Sequence, residues 1–362
     1  MDKLYLILEN GMVFEGKSFG ASGDVTGELV FNTSMIGYLE ALTDPAYYGQ
    51  ILMQTFPLIG NYGVIPSDFE SDAAYPIAYI AKYPCQDPSN FRSEGNLDTF
   101  LREKGIVGLR DIDTRALTKV IREQGTMNAR ITSSAPETVS IEEIRAHTQD
   151  NCTSFRCREP ELYEAENPQY TVAFYDFGTR DSVIKELTCR SCNVWRLPLS
   201  HSAQETAALS PDGIVLSGGP GAPADYAHEA ANIKKLLSYN IPVFGIGLGH
   251  QLLALQNGFD CCKLAYGHHG SNQPVRDGGT GRIYITGQNH GYAVSSDSID
   301  SNTAYELFTN LHDNTCEGIV YKDAPVFSVQ FEPITSIGPG STGYLYDLFI
   351  SNMSIKKNME EM

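Results

Sequence analysis

The sequence predicts an α/β protein with a smaller mixed α/β domain followed by a larger domain built on a doubly wound, mostly parallel sheet. Three observations lead to this prediction. Residues 1–150 contain short strands and turns with few long helices. From residue 170, strands, glycine turns and helices alternate, which indicates a parallel sheet with helices on both faces. Between them, residues 151–169 are polar and contain Glu and Pro, so we expect a linker there and domains at 1–150 and 170–362.

In the N-terminal part, residues 27–32 and 51–55 have the composition of strands. A helix is predicted from residue 114, because apolar residues recur at helical spacing, Asp113 or Thr114 can cap the first turn and Gly125 can end the last one. The C-terminal part reads as strands at 171–175, 193–197, 213–216 and 242–245, and helices at 182–187, 230–237 and 251–255.

Composition excludes several classes of protein. The 362 residues include 44 acidic and 26 basic side chains, a formal net charge of −18, which argues against nonspecific nucleic-acid binding. No apolar run has the length of a membrane span, and the first residues are too polar for a signal peptide. We therefore expect a cytoplasmic protein that binds neither nucleic acid nor membrane.

The eight cysteines are scattered and do not predict a disulfide framework. Cys189 and Cys192 form a CxxC pair, which can be a redox or half-metal site. No second pair completes a zinc set, so two unrelated cysteines near a helix end are the better interpretation, and no metal site is predicted.

The most informative segment is 243–251, in which an apolar strand runs through glycines into a helix. This is the layout of a nucleophile elbow, G-x-Nuc-x-G, which exposes its central side chain at the N-terminus of the helix. A thiolate is favoured in that position. The central residue here is Gly247, so the turn is predicted but the attacking atom is missing.

Five stretches together resemble a class I, triad-type glutamine amidotransferase, and more narrowly the small, glutaminase chain of carbamoyl-phosphate synthase. They are 175–178 (YDFG), 216–221 (LSGGPG), 244–254 (FGIGLGHQLLA), 266–270 (YGHHG) and 288–294 (QNHGYAV). The N-terminal half is similar to that family's own N-terminal domain at 27–38 (GELVFNTSMIGY), 42–45 (LTDP), 59–63 (IGNYG) and 111–115 (DIDTR). The resemblance covers nearly the whole chain.

The resemblance implies a mechanism and a partner. In that family the elbow cysteine attacks the glutamine side-chain amide, a histidine acts as base, and a glutamate two residues later orients the histidine. Ammonia then passes through a tunnel to a large chain that uses ATP. The resemblance therefore implies a carbamoyl-phosphate synthase large chain as partner, with ATP on that chain and no cofactor in this one.

This sequence departs from the family at each catalytic position. Gly247 stands where the cysteine belongs, Glu332 at the position of the base and Ile334 at that of the orienter. Ala46 replaces a serine that contacts glutamine. Glycine has no nucleophile and isoleucine cannot accept a hydrogen bond. The thioester mechanism cannot run through these residues, which favours a catalytically silent member over a single engineered trap.

Other parts of the family's glutamine pocket persist. By resemblance, Gly219 and Gly221 belong to the oxyanion-side loop, and the N–H of Leu248 could bind an oxyanion. The remaining positions that match glutamine-holding residues are Gln251, Asn289, Gly291 and Tyr292. Two interpretations stay open: the pocket still binds glutamine, or these residues now only maintain turns and packing.

Replacement groups for the missing nucleophile are weak candidates. Cys261 and Cys262 follow the far end of the elbow helix and are expected to be buried structural thiols. Ser217 has no evident base. The loop that contains it lacks the Gly-Lys-Ser/Thr of a Walker A motif, so ATP binding by this chain is not expected. His250, His268, His269 and His290 have no clean metal-ligand spacing.

The sequence is compatible with three functions. The first is a small-subunit-like component of a carbamoyl-phosphate synthase that has lost glutamine hydrolysis, so that the complex takes ammonia, in arginine or pyrimidine biosynthesis. The second is an active glutaminase with displaced catalytic residues. The third is a non-catalytic, glutamine-binding regulator or sensor.

Overall fold

The computed structural model describes residues 3–148, 156–333 and 342–360. The chain divides into two compact units. The first unit comprises Met1–Cys152 and Leu264–Gly270, and the second comprises Thr153–Lys263 and Ser271–Met362. Ile334 and Cys152 lie outside the described residues.

The first unit is built around a closed barrel with the strand order β1-β2-β8-β6-β4-β3-β9. The pairs β3–β4, β4–β6 and β6–β8 are parallel, whereas β1–β2, β1–β9, β2–β8 and β3–β9 are antiparallel. A short parallel pair, β5 with β7, lies outside the barrel. The strands are β1 (Lys3–Leu8), β2 (Val13–Gly20), β3 (Val25–Asn32), β4 (Ile51–Gln54), β5 (Leu58–Ile59), β6 (Ala78–Ala81), β7 (Tyr83–Pro84), β8 (Val107–Arg110) and β9 (Met127–Thr132).

Four helices accompany the barrel: α1 (Tyr38–Leu42), α2 (Leu97–Glu103), α3 (Thr114–Gln124) and α4 (Ile141–Arg145). Helix α3 begins and ends as predicted. The Asp113 carboxylate accepts a hydrogen bond from the Ala116 N–H at 3.0 Å, and Gly125 follows the last turn at φ +90°. Leu117, Val120 and Ile121 pack into the barrel core. The opposite face of α3 is therefore left to solvent.

The second unit contains a ten-stranded sheet with the order β10-β12-β11-β13-β14-β19-β18-β16-β15-β17. Strands β12, β11, β13, β14 and β19 are parallel, and the strands on either side of them pair antiparallel. The strands are β10 (Glu161–Tyr163), β11 (Tyr170–Tyr175), β12 (Cys192–Leu197), β13 (Gly213–Leu216), β14 (Val243–Ile246), β15 (Cys261–Asp277), β16 (Ile283–Val294), β17 (Ala304–Asn310), β18 (Cys316–Tyr321) and β19 (Val326–Val329).

Helices cover both faces of this sheet: α5 (Asp181–Thr188), α6 (Ala203–Ala208), α7 (Ala227–Leu237), α8 (Leu248–Gln256) and α9 (Tyr344–Glu360). Side chains of a strand alternate between faces, so Ala173 and Tyr175 of β11 pack with α6, α7 and α8. Val172 and Phe174 pack with α5 and α9 on the other face. The predicted doubly wound α/β architecture is confirmed.

Two features were not anticipated. The antiparallel strands β15 to β18 were not predicted one by one, because their sequences mix polar residues and glycine without a clear two-residue alternation. Residues 161–163, in the segment expected to be a linker, form strand β10, and Leu162 pairs with Trp195 of β12. Within the described ranges, no helix combines the length and apolar character needed to cross a membrane.

Candidate functional site

The chain makes the predicted sharp turn between β14 and α8 at Gly247. Gly247 has φ +55° and ψ −112°, a backbone conformation that favours glycine. Its N–H donates to the Val329 carbonyl at 2.9 Å, and its own carbonyl accepts from the Gln251 N–H at 3.2 Å. These bonds hold the turn between a central sheet strand and the elbow helix, so the scaffold of a nucleophile elbow is intact.

Two backbone atoms lie close to the position that the Cβ of a nucleophile would occupy. A Cβ placed on Gly247 would lie 3.2 Å from the Cα of Gly218 and 3.8 Å from the carbonyl oxygen of Gln330. Both neighbours are backbone atoms of strand-end segments, β13 followed by Gly218 and β19 followed by Gln330. A side chain at position 247 is therefore directed into a narrow gap.

Glu332 reaches the same gap from the other direction. Its N–H donates to the Gly287 carbonyl at 3.0 Å, which fixes this residue beside β16. A Cβ placed on Gly218 would lie 3.3 Å from the Oε1 of Glu332. Gly218 therefore has both the elbow and this carboxylate as neighbours. The structure thus brings Gly247 and Glu332 to one small region, and the group at the base position is an anion that would disfavour a neighbouring thiolate.

Internal hydrogen bonds hold the loop after β13. The Ser217 hydroxyl accepts from the Phe177 N–H at 2.9 Å and donates to the Gly218 carbonyl at 2.8 Å. The Tyr226 hydroxyl donates to the Pro220 carbonyl at 2.7 Å. Ser217 is therefore a structural residue rather than a replacement nucleophile.

The N–H of Leu248 is the first of helix α8. Amides at the start of a helix have no partner within the helix, so this N–H can donate to a bound anion.

Gly219 and Gly291 differ sharply in their surroundings. A Cβ on Gly219 would overlap the Phe177 carbonyl oxygen and lie 3.0 Å from the Phe177 Cβ, whereas one on Gly291 meets nothing within 4 Å. Gly221 has φ +91°, so it too suits the turn. The glycines of the oxyanion-side loop are thus required by packing and turn geometry, whatever they bind.

We expect Gly219→Ala to destabilise the fold by about 1–3 kcal/mol, because backbone atoms of Phe177 must move to admit the methyl group. Gly291→Ala should change the free energy of unfolding by less than about 0.5 kcal/mol, since its site is open. Urea denaturation of both variants measures the difference. Equal losses would show that close packing at Gly219 is not what the loop requires.

The positions on α8 and β16 that the sequence resemblance assigns to glutamine binding are linked to each other. The side-chain amide of Gln251 donates to the Tyr292 carbonyl at 2.8 Å and to the Gln330 Oε1 at 3.0 Å, so both of its hydrogens are used within the protein. Asn289 and Tyr292 are half-buried on β16. Gln330 was not among the predicted pocket residues. It stands two residues before Glu332 in the sequence, and this closeness to a predicted site residue could have identified it. Its buried Nε2 has no hydrogen-bond partner within the described part of the chain.

Two further residues of the predicted site are Ala46 and Ile334. Ala46 belongs to the first unit, in a 3-10 turn (Pro45–Tyr47) where its N–H donates to the Asp44 carboxylate at 3.0 Å. Ile334 falls outside the described residues. The geometry of the site consequently rests on the residues of the second unit.

His250 lies one turn after the elbow but does not supply a base. It is fully buried, and its Nδ1 is 2.8 Å from the Ser328 hydroxyl. Burial lowers the pKa of His250 to about 3, so the ring is neutral in the folded protein. His250 is best described as a buried core residue that joins α8 to β19.

The low pKa of His250 predicts a specific pH dependence of stability. Between pH 3 and about 6.5 the unfolded chain binds a proton on this ring and the folded chain does not, so stability falls as the pH decreases below about 6.5. The expected slope from this residue is about 1.4 kcal/mol per pH unit. Unfolding free energies of the wild type and of His250→Asn should differ in slope by nearly that amount between about pH 4 and 5, and by about half of it between about pH 6 and 7, where the unfolded histidine is only partly protonated. Parallel slopes would contradict the assignment.

The Cys261 thiol, which follows helix α8, is a poor nucleophile. Burial raises the pKa of the Cys261 thiol to about 12, and the thiol donates a weak hydrogen bond to the Gln251 carbonyl at 3.7 Å. Cys261 is half-buried and Cys262 is exposed, so the expectation that both thiols are buried was wrong. Adjacent residues in a strand point to opposite faces, which explains the difference. In the CxxC pair, Cys189 is exposed and Cys192 is buried.

Comparison with known proteins agrees with this architecture. Residues 6–131 match the family model "Carbamoyl-phosphate synthase small chain, CPSase domain", and residues 173–352 match "Glutamine amidotransferase class-I". The barrel of the first unit and the doubly wound sheet of the second thus correspond to two different family models.

Curated relatives are similar over almost their entire length. The carbamoyl phosphate synthase small chain of Syntrophotalea carbinolica is 44% identical over 369 residues, covering 97% of this chain and 98% of the relative. That of Streptococcus pyogenes is 43% identical, covering 97% of both chains. A pyrimidine-specific small chain from Halalkalibacterium halodurans is 43% identical, covering 98% of both. The chain therefore belongs to the carbamoyl phosphate synthase small-chain family.

Proposed function

We propose that this chain is the small subunit of a carbamoyl-phosphate synthase that does not hydrolyse glutamine, so that the complex takes its nitrogen from ammonia. The large chain would bind ATP and bicarbonate and carry out the synthesis. This chain would dock on it and stabilise or gate it, without a cofactor of its own.

One observation carries the proposal: the elbow at Gly247 is folded, but it presents no nucleophile. An ionisable group that does reach this region is the Glu332 carboxylate, beside Gly218. A carboxylate at the position of the base, with isoleucine at the position of its orienter, does not activate a thiol or replace one. Two nearby replacement groups are also unsuitable, because Ser217 is held by backbone hydrogen bonds and the Cys261 thiol stays protonated near neutral pH.

The experiment is carbamoyl phosphate formation by the chain with its cognate large chain, ATP and bicarbonate. Ammonium chloride or glutamine is the nitrogen source, and the large chain alone is the control. We expect product with ammonium, no product above background with glutamine, and a higher or more stable activity when this chain is present. Product with glutamine would overturn the proposal and favour a glutaminase with displaced residues.

A glutamine-binding regulator is the second candidate, and one observation favours it. The buried Gln330 Nε2 lacks a hydrogen-bond partner among the residues that the structure describes, so a donor is available for a bound amide or carboxylate oxygen. Isothermal calorimetry with glutamine distinguishes this candidate, since saturable heat without glutamate release would support it. A neighbouring large-chain gene would favour the subunit role, whereas a lone gene would favour the regulator. The other genes next to this one would indicate whether the complex serves arginine or pyrimidine synthesis.

A further inference from the structure

The first unit contains a groove of about 1030 Å³ beside helix α3, which we call the basic groove. Its walls are α3 and the segments that follow β4 and β6. The groove includes part of the 111–115 stretch that the proposed function does not explain. Its cationic lining residues are Lys82, Arg115, Lys119 and Arg122.

Helical spacing accounts for three of these cations. Arg115, Lys119 and Arg122 are separated by four and three residues, so they share one face of α3. The other face is buried in the barrel core. The exposed face of α3 is therefore a positively charged stripe, and Lys82 adds a fourth charge from the end of β6.

The carboxylates in the groove do not neutralise this stripe. Asp113 caps α3 through the Ala116 N–H, and Glu123 lies 3.8 Å from the Lys119 Nζ in an exposed pair of the same helix. Exposed pairs of this kind contribute little, because water and salt screen them. Four cations against two anions leave the groove with a local excess of two positive charges.

The remaining cations of this groove are unpaired, in contrast to the rest of the unit. Among the lysines and arginines described in the first unit, Lys82, Arg115 and Arg122 alone make no side-chain hydrogen bond or ion pair. Lys82 and Arg122 have only ring contacts, to Tyr83 at 5.4 Å and Tyr266 at 6.0 Å. The chain has 44 acidic against 26 basic residues, so carboxylates are abundant. Three lining cations without a hydrogen-bonded or ion-paired carboxylate, in a groove with an excess of positive charge, indicate a place for an external anion.

We propose that the basic groove binds an acidic segment of the large chain. This inference rests on the proposed function, which supplies that partner. The groove lies in the unit that matches the synthase-specific family model at 6–131, rather than in the amidotransferase-like unit. The lining cations of α3 are exposed rather than enclosed, which suits an extended carboxylate-bearing segment better than a small phosphate compound. Such contacts chiefly raise the association rate and make it sensitive to salt.

The test compares two double variants of equal charge change. Arg115→Gln with Arg122→Gln removes two charges from the groove, and Lys234→Gln with Lys235→Gln removes two exposed charges from the last turn of α7 in the second unit. Glutamine is a good helix former, so α3 should persist, and circular dichroism checks this. Surface plasmon resonance with immobilised large chain measures association rates from about 50 to about 500 mM salt.

We expect the groove variant to associate at least about tenfold more slowly at low salt and to lose most of its salt dependence, whereas the α7 control changes less than about twofold. Arg115→Lys with Arg122→Lys should retain most of the rate. Equal effects of both Gln variants, or no effect of either, would overturn the groove assignment while the subunit role stands. If the groove variant changes only self-association, the occupant is a second copy of this chain. If it changes only phosphate binding, the occupant is a small anion. Either result would make the proposal wrong. If the wild-type chain does not bind the large chain, the subunit role fails together with the groove.

Discussion

Glutamine hydrolysis is expected to stay at background in Gly247→Cys and to rise at least about 100-fold above that variant when Gly247→Cys, Glu332→His and Ile334→Glu are combined. The single change supplies only a thiol. Its Cβ would meet the Gly218 Cα at 3.2 Å in a backbone with φ +55°, at a cost of about 1–3 kcal/mol. The nearby Glu332 carboxylate would raise the pKa of that thiol and keep it protonated.

The triple variant supplies nucleophile, base and orienter together, and these act as a unit. The matched control is Glu332→His with Ile334→Glu, which keeps Gly247 and therefore lacks the attacking atom. Glutamate release by each variant, in complex with the large chain, is the measurement. Turnover by Gly247→Cys alone would show that Glu332 is a competent base. A triple variant no faster than the control would show that these positions do not form a triad.

Asp176→Ala is expected to lower the free energy of unfolding by about 3–5 kcal/mol. Asp176 is completely buried at the end of β11, and one carboxylate oxygen accepts from the N–H groups of Gly178 and Thr179 at 3.0 and 2.9 Å. The other oxygen accepts from Arg196 at 2.9 Å and from the Cys157 N–H at 3.0 Å. Removing the carboxylate leaves a largely buried guanidinium with only the more distant Glu161 carboxylate, 3.8 Å away and half exposed, as a counter-charge among the described residues.

The control for Asp176 is Asp347→Ala. The Asp347 carboxylate also pairs with an arginine, Arg190, at 2.7 Å, but its side chain is 66% exposed. Water replaces an exposed partner, so we expect a change of about 1 kcal/mol or less. Urea unfolding of both variants gives the comparison. Similar losses would mean that burial does not determine the value of these ion pairs.

Local patterns were sufficient to predict much of the architecture. The helix at 114–124 was predicted because its cap, its apolar face and its terminating glycine all lie within a few residues of one another. Strands β11, β13 and β14 and the turn at Gly247 were predicted for the same reason, since each strand is a short apolar run with a glycine at or shortly after its end. Strand β12, which Pro198 follows, was predicted as the next strand in the alternation of strands and helices.

Long-range pairing was beyond these patterns. Strand β15 has 17 residues, many of them polar, and finds its neighbours in strands that come later in the chain. Strand β10 exists because Leu162 pairs with Trp195, 33 positions away. Its own three residues carry no strand signal, because the stabilising hydrogen bonds come from the partner strand.

Residue identity alone determined that position 247 has no nucleophile, because a side chain that is absent cannot be supplied by folding. It likewise determined the acidic charge of the chain and the helical spacing of the α3 cations. Only the tertiary structure decided that the Glu332 carboxylate reaches Gly218, that both amide hydrogens of Gln251 are used internally, and that Lys82 joins the stripe on α3. Such contacts join residues far apart in the chain, and strand register and packing, which no local pattern encodes, bring them together.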